Sequence, residues 1–235
     1  MDLQTLFGDY YTQYRGESQT PPATDPEYLI FIRLAREAIA RWASYDNTYW
    51  KELFTSLQLA PDGDKLIVLG QTTYLTPSDM KEAGGFLRVL DANGNTVRKY
   101  PIIEPQEAQF KGDVGHYCYF SGDSQNGFTL KLNPTPDSSI VGFSFDYIYY
   151  KQPTFWTTSS QPTATTEMSE PMFIVHRALA NRFRATRNPY YSSAKSDAED
   201  VLKIMQMTNN SGSWANPWSV ADNSGVTFGQ EVGGW

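Results

Sequence analysis

Residues 143 to 207 constrain the fold more than any other stretch of this chain. Phe143, Phe145, Tyr147 and Tyr149 alternate with Ser144, Asp146, Ile148 and Tyr150. A period of two is that of a strand with one buried face. Pro153 ends it, because proline has no N–H to give to a ladder. After a Pro- and Thr-rich crossing the period becomes helical. Ser169 and Pro171 predict the start: a hydroxyl caps a free N–H, and a first-turn proline has none to leave unsatisfied. Met172, Val175, His176, Leu179, Ala180 and Phe183 then recur at three- and four-residue steps. Asn188-Pro189 punctuates, and a second stripe runs through Ala194, Ala198, Val201, Leu202 and Met205. Two consecutive helices with apolar stripes require a partner earlier in the chain.

That partner is legible upstream. Asp25-Pro26-Glu27 is another helix start. Its stripe is Phe31, Leu34, Ala35, Ala38, Ile39 and Trp42, with Arg33, Arg36, Glu37 and Arg41 largely off it. Ser44 to Asn47 interrupts, and Trp50, Leu53, Phe54 and Leu57 predict a further short helix. At the start of the chain, Leu3, Leu6, Phe7, Tyr10 and Tyr14 share one face of a short helix, and residues 15–25 are a polar linker. From Pro61 the period is two. Strands are predicted at 65–69, 72–75, 86–90, 96–100, 115–120 and 128–132, before the final one at 143–150. Asn93-Gly94 supplies the positive φ of a hairpin turn between two of them.

Helices, then strands, then helices predict an α+β fold. The expected architecture is a helical bundle, built from the N-terminal helix and the C-terminal helical pair, with an inserted antiparallel β-sandwich or barrel and an extended C-terminal arm. The expected segments are an N-terminal segment and linker at 1–25, helical parts at 26–60 and 152–208, the β domain at 61–151 and the arm at 209–235. The arm is rich in Asn, Ser and Gly yet carries Trp214, Trp218, Phe228 and Trp235. Aromatic anchors on a polar string favour docking on another subunit over folding back on their own domain.

Composition excludes several functions. The net charge is −7 and no Lys/Arg run exists, so nucleic acid would be repelled rather than gripped. Cys118 is the single cysteine, which rules out an internal disulfide. The start, Met1-Asp2-Leu3-Gln4, lacks the basic and apolar regions of a signal peptide. No stretch approaches the roughly 18–20 apolar residues of a membrane span. The expectation is a soluble protein made in a cytoplasm, without membrane association.

Candidate chemistry is sparse. His176 lies on a helix stripe with no metal partner one turn on, at Ala180, and is expected to be a core or interface histidine. His116 precedes Cys118 by two residues, a spacing that can put a nucleophile and a base on one face, yet no third orienting group is indicated, so both are expected to be core residues of a strand. Asp91-x-Asn93-Gly94-Asn95 opens like a calcium loop, but Ile102 stands where a bidentate glutamate is required, so a hairpin is expected. Glu104 and Glu107 are an acid/base pair of the kind that chance provides among 26 acidic residues. No catalytic, metal or cofactor site is expected.

Several stretches, taken in order, resemble the head-to-tail connector (adaptor) proteins of tailed bacteriophages, the short-tailed kind in particular. They are the early helix ending in Trp42 and followed by Trp50-Lys51-Glu52-Leu53; Gln71-Thr72-Thr73-Tyr74-Leu75-Thr76-Pro77-Ser78-Asp79; Leu130-Lys131-Leu132-Asn133-Pro134-Thr135-Pro136; Tyr147-Ile148-Tyr149-Tyr150-Lys151-Gln152-Pro153; and the Pro-led helix with His176, Ala178 and Ala180. The likeness spans about residues 26–208. Thr76 departs from it, standing where such proteins usually carry an apolar residue, and the first 25 residues match none of its motifs. The resemblance implies a structural virion protein of the neck, synthesised in the host bacterial cytoplasm, that forms a ring of about twelve copies under the portal. It implies the portal protein and the tail tube, nozzle or fibre proteins as partners, with viral DNA passing through the channel unread. It also implies that the arm clamps the portal or a neighbouring subunit. The alternative is a carbohydrate-binding β-sandwich module of a virion or tail protein, suggested by 15 tyrosines and 6 tryptophans. Against it, the stretch from 61 to 151 has no tryptophan. A hydrolase built on scattered carboxylates ranks below both.

Overall fold

A computed structural model describes residues 1–17, 21–58, 66–123 and 126–210. The chain divides into two compact units. One comprises Met1–Leu53 and the chain from Pro153 to the end of the last helix; the other comprises Phe54–Gln152.

The helical unit begins with α1 (Leu3–Arg15). Asp2 caps it, accepting the Thr5 N–H at 2.8 Å, and Gly16 closes it with a φ of 74° that other residues avoid. Leu3, Leu6, Phe7 and Tyr10 are fully buried. The N–H groups of Leu3 and Gln4 donate to the carbonyls of Ala164 and Pro162, which ties the chain start to the crossing segment. Residues 1–17 and 21–25 are thus part of this unit. Helix α2 (Pro26–Ala43) starts at the expected Asp25 cap, and its whole predicted stripe from Phe31 to Trp42 is buried. It packs on α4 (Met172–Ala185), which also packs on α1 and on α5 (Tyr191–Asn210). The expected pairing of the early helix with the C-terminal pair is therefore present. Helix α4 starts later than predicted: Pro171 holds the N-cap position, and no side chain caps the helix, so Ser169 does not. Helix α5 runs two residues into the expected arm. Asn209 is buried there, accepting the Lys51 N–H at 3.0 Å and donating to the Tyr49 carbonyl at 2.8 Å.

The predicted helix around Trp50 to Leu57 is not formed. A short 3-10 turn, Lys51–Leu53, leads directly into strand β1 (Phe54–Gln58). Apolar spacing alone could not separate the two outcomes, and strand pairing decides it: Phe54 to Gln58 run antiparallel to Tyr150 to Asp146.

In the β unit the further elements are β2 (Thr73–Leu75), β3 (Met80–Ala83), β4 (Phe86–Leu90), β5 (Thr96–Pro101), α3 (Pro105–Lys111), β6 (Tyr117–Asp123), β7 (Gly127–Asn133) and β8 (Ser144–Lys151). One antiparallel sheet runs β1-β8-β4-β5, with β3 also on β8; the other runs β2-β7-β6. Both sheets are open, which removes the barrel alternative. They share one core in which Tyr74, Cys118, Leu130 and Leu132 of the smaller sheet meet Leu87, Val89, Tyr100, Phe145 and Tyr147 of the larger. The predicted strand at 65–69 is absent among its described residues. Ile67 is held by a single pair of backbone bonds to Gly142 and Phe143, while Val68 and Leu69 turn outward into solvent. Thr76 has its own role: its hydroxyl donates to the Phe128 carbonyl at 2.8 Å, which explains a polar residue at that strand end.

Strand β8 is the spine of this unit, as its alternation predicts. Its second face is more covered than the period suggests: Asp146 and Tyr150 are buried, and of that face only Ile148 is exposed, and then only by about half. Tyr150 packs edge-on against Phe54, its cross-strand partner. Tyr147 points into the shared core beside Phe120, and its buried hydroxyl has no hydrogen-bond partner among the described residues. Burial pushes its ionisation well above the ordinary tyrosine range. Removing a desolvated, unpaired hydroxyl relieves a penalty. Tyr147→Phe is therefore expected to raise stability by about 1 kcal/mol in urea unfolding; a loss of similar size would mean that the hydroxyl is satisfied.

Candidate interaction surfaces

The residues with chemical potential are dispersed. His116 is exposed in the loop before β6, its ring edge-on to Tyr100 at 5.7 Å. Cys118 lies in the core, its thiol against the carbonyls of Tyr100 and Pro101, and burial pushes the thiol far up. Cys118 is therefore the expected core strand residue, whereas His116 is not: it precedes the strand and faces water, so the two form no nucleophile–base pair. His176 is half-buried on the flank of α4 rather than in its core, where Phe173, Val175, Leu179 and Phe183 lie. Glu104 and Glu107 are both exposed, and Glu107 pairs with Lys111 one helical turn on. Among the described residues no group of three metal-ligating side chains converges.

Asp91 serves the hairpin, as expected. Its carboxylate accepts the N–H groups of Asn93 and Asn95 at 2.9 and 2.8 Å and the Asn95 side-chain amide at 3.1 Å, while Gly94 takes a φ of 81°. Those donors, Asn95 first, hold its carboxyl below the ordinary aspartate value of 3.8. A depressed carboxylate contributes stability that is fully present above its unfolded value and is lost as pH falls through the folded one. Asp91→Ala is therefore expected to lower the unfolding midpoint at neutral pH. The gap from the parent should close as pH drops below about 3.8. A gap that persists in acid would mean that the loop does not rest on the carboxylate.

A buried polar cluster that the sequence did not advertise locks the helical unit together. Glu27, read only as part of a helix start, is almost fully buried. Its Oε1 accepts the Tyr10 hydroxyl of α1 at 2.8 Å, and its Oε2 accepts Arg182 Nη2 of α4 at 3.0 Å. The Arg182 guanidinium also lies 5.0 Å above the Tyr14 ring. Burial and then the Glu27 bond push the Tyr10 hydroxyl far above its usual range, so it stays a donor. One carboxylate thus fixes three helices, and its role is structural. A signal existed in principle, since a glutamate at the buried edge of an apolar stripe needs a cation, but the cation lies 155 positions away.

The surfaces themselves carry apolar side chains. In the β unit Phe110 on α3 and Val114 after it are 91% and 78% exposed, and Leu75 at the end of β2 is 85% exposed. In the helical unit Leu29 on α2 and Ile204 and Met207 on α5 face outward. Taken singly, exposed apolar side chains of this kind are ordinary on a protein surface. The expected arm anchors Trp214, Trp218, Phe228 and Trp235 lie outside the described residues. Among known proteins, no curated protein matches the chain. Residues 2–221 match the family model described as SU10 adaptor protein.

Proposed function

Since the chain belongs to the SU10 adaptor protein family, a family of bacteriophage head-to-tail adaptors, we propose that it forms a ring of about twelve copies that docks on the portal. Membership makes it a structural protein of the virion neck. The ring lengthens the DNA channel and offers the platform on which tail tube, nozzle or fibre proteins attach. The observation that carries this reading is the family match, which takes in α1 and both units and so covers residues 2–25, which the resemblance left out. The chain is synthesised in the host cytoplasm and enters the virion by assembly; among the described residues no helix is long and apolar enough to cross a membrane.

Physical chemistry supports each part of the proposal. A net charge of −7 gives passing phosphates no counterion release, so DNA slides through without being held. A ring uses two different patches on every copy, repeated head to tail. Trp214, Trp218, Phe228 and Trp235 are the anchors by which the arm clamps the portal or a neighbouring copy, because large aromatic rings bury much area at little entropic cost. Light scattering on the purified portal ring, with and without this protein, tests the stoichiometry. The complex should gain the mass of about twelve 26.6 kDa chains; a portal ring of unchanged mass overturns the proposal.

A further inference from the structure

Two outward faces of the helical unit match each other in kind and in spacing. On α2, Leu29, Arg33, Arg36 and Ala40 follow at steps of four, three and four residues, and all are exposed. On α5, Asp197, Asp200, Ile204 and Met207 follow at steps of three, four and three, and all are exposed. Such steps keep each set on one face of its helix. Laid antiparallel, the two faces come into register. Leu29 stands opposite Ile204, Arg33 opposite Asp200 and Arg36 opposite Asp197, over the same seven-residue span of about 10.5 Å. Met207 continues the apolar end beyond Leu29.

Within one chain the contacts of these helices run through other flanks. The flank of α2 turned toward α4 and α5 carries Glu37, bonded to Asn181 of α4, and Arg41, bonded to Glu199 of α5. The flank of α5 turned toward α2 and the loop after it carries Glu199, which also takes Arg177, and Gln206, which reaches Asp46 and Thr48. The four charges of the outward faces join no ion pair among the described residues. One face offers two cations beside an apolar end, the other two anions beside an apolar end, in matching order.

We propose that the α2 face of one copy packs antiparallel on the α5 face of the next copy, and that this is the repeating contact of the ring. The occupant is a second copy of this chain, because one chain carries both complementary faces and its own contacts use other flanks of the two helices. Two different patches make the contact heterologous, the kind that generates rings. The Arg–Asp pairs set register and reject misaligned docking, while Leu29, Ile204 and Met207 supply the buried apolar part. The inference rests on the ring reading above.

Charge reversal in two pools of full-length chain tests it. R33E/R36E makes both faces acidic, and D197R/D200R makes both basic. All four positions are exposed, so both variants should keep the parent's unfolding midpoint. With the portal ring present, each variant alone should lose assembled rings roughly tenfold or more, because like charges now meet at every contact. An equal mixture should restore rings, since an acidic copy then always meets a basic one; native mass spectrometry would read the alternation. Variants that each assemble like the parent overturn this interface and leave the ring reading standing. Variants that fail both alone and mixed assign the faces to a portal or tail partner and also overturn it. A parent chain that forms no ring on the portal overturns the ring reading and this inference together.

Discussion

Replacing Glu27 with alanine is expected to destabilise the helical unit by about 3–5 kcal/mol, the usual result of removing one partner from a buried ion pair. The substitution leaves the mostly buried Arg182 guanidinium without its carboxylate and the buried Tyr10 hydroxyl without its acceptor. It acts on α1, α2 and α4 at once. Glu27→Leu combined with Arg182→Leu should recover much of the loss, since an apolar pair of similar bulk removes the uncompensated charge. Tryptophan fluorescence isolates the event. Trp42, Trp50 and Trp156 are buried in the helical unit, and the Phe54–Gln152 unit has no tryptophan. Urea unfolding in a background truncated after Asn210 therefore reports this unit alone. A loss below about 1 kcal/mol would show that the cluster is dispensable.

Truncation after Asn210 is the second large effect. It is expected to change the unfolding free energy by no more than about 0.5 kcal/mol and to abolish docking on the portal. The cut falls at Asn210 because Asn209 is part of the fold, bonded to Lys51 and Tyr49; a cut before it would confuse unfolding with lost assembly. Full-length chain with Trp214, Trp218, Phe228 and Trp235 all changed to alanine should behave like the truncation, which separates the anchors from the length of the arm. Sedimentation with the portal ring reads both variants. Truncated chain that still sediments with the portal would show that the arm is not the anchor.

The long periodic segments were legible in the sequence because one physical force shaped each of them. The stripe from Phe31 to Trp42 and the alternation from Phe143 to Tyr149 each record a single buried face, and both elements are where the period put them. The failures lie where a short apolar run can satisfy either period. Trp50, Leu53, Phe54 and Leu57 fit a helical turn, yet the partners on β8, 88 to 96 residues further on, offer a ladder that captures Phe54–Gln58. Strand β3 and helix α3 were missed because Met80–Ala83 and Pro105–Lys111 carry few apolar residues and draw their order from neighbours. The cap at Ser169 failed because Pro171 sits at the helix start with its own carbonyl accepting the Ile174 N–H, which leaves the serine outside the first turn. The family was legible from motif order across strand ends, where prolines and tyrosines mark fixed points of the β unit. The faces on α2 and α5 were legible only in part. Arg33 and Arg36 read as off-stripe residues, and only the outward direction of both helices in the folded unit makes them complementary to Asp197 and Asp200.

The central claim is a ring on the portal, and imaging tests it most directly. Negatively stained portal rings would be compared before and after addition of this protein. The account predicts one added layer, coaxial with the portal and of about twelve-fold symmetry, with density for each copy in contact with its neighbours. Portal rings unchanged in length, with the added protein left as single copies in the background, would contradict it.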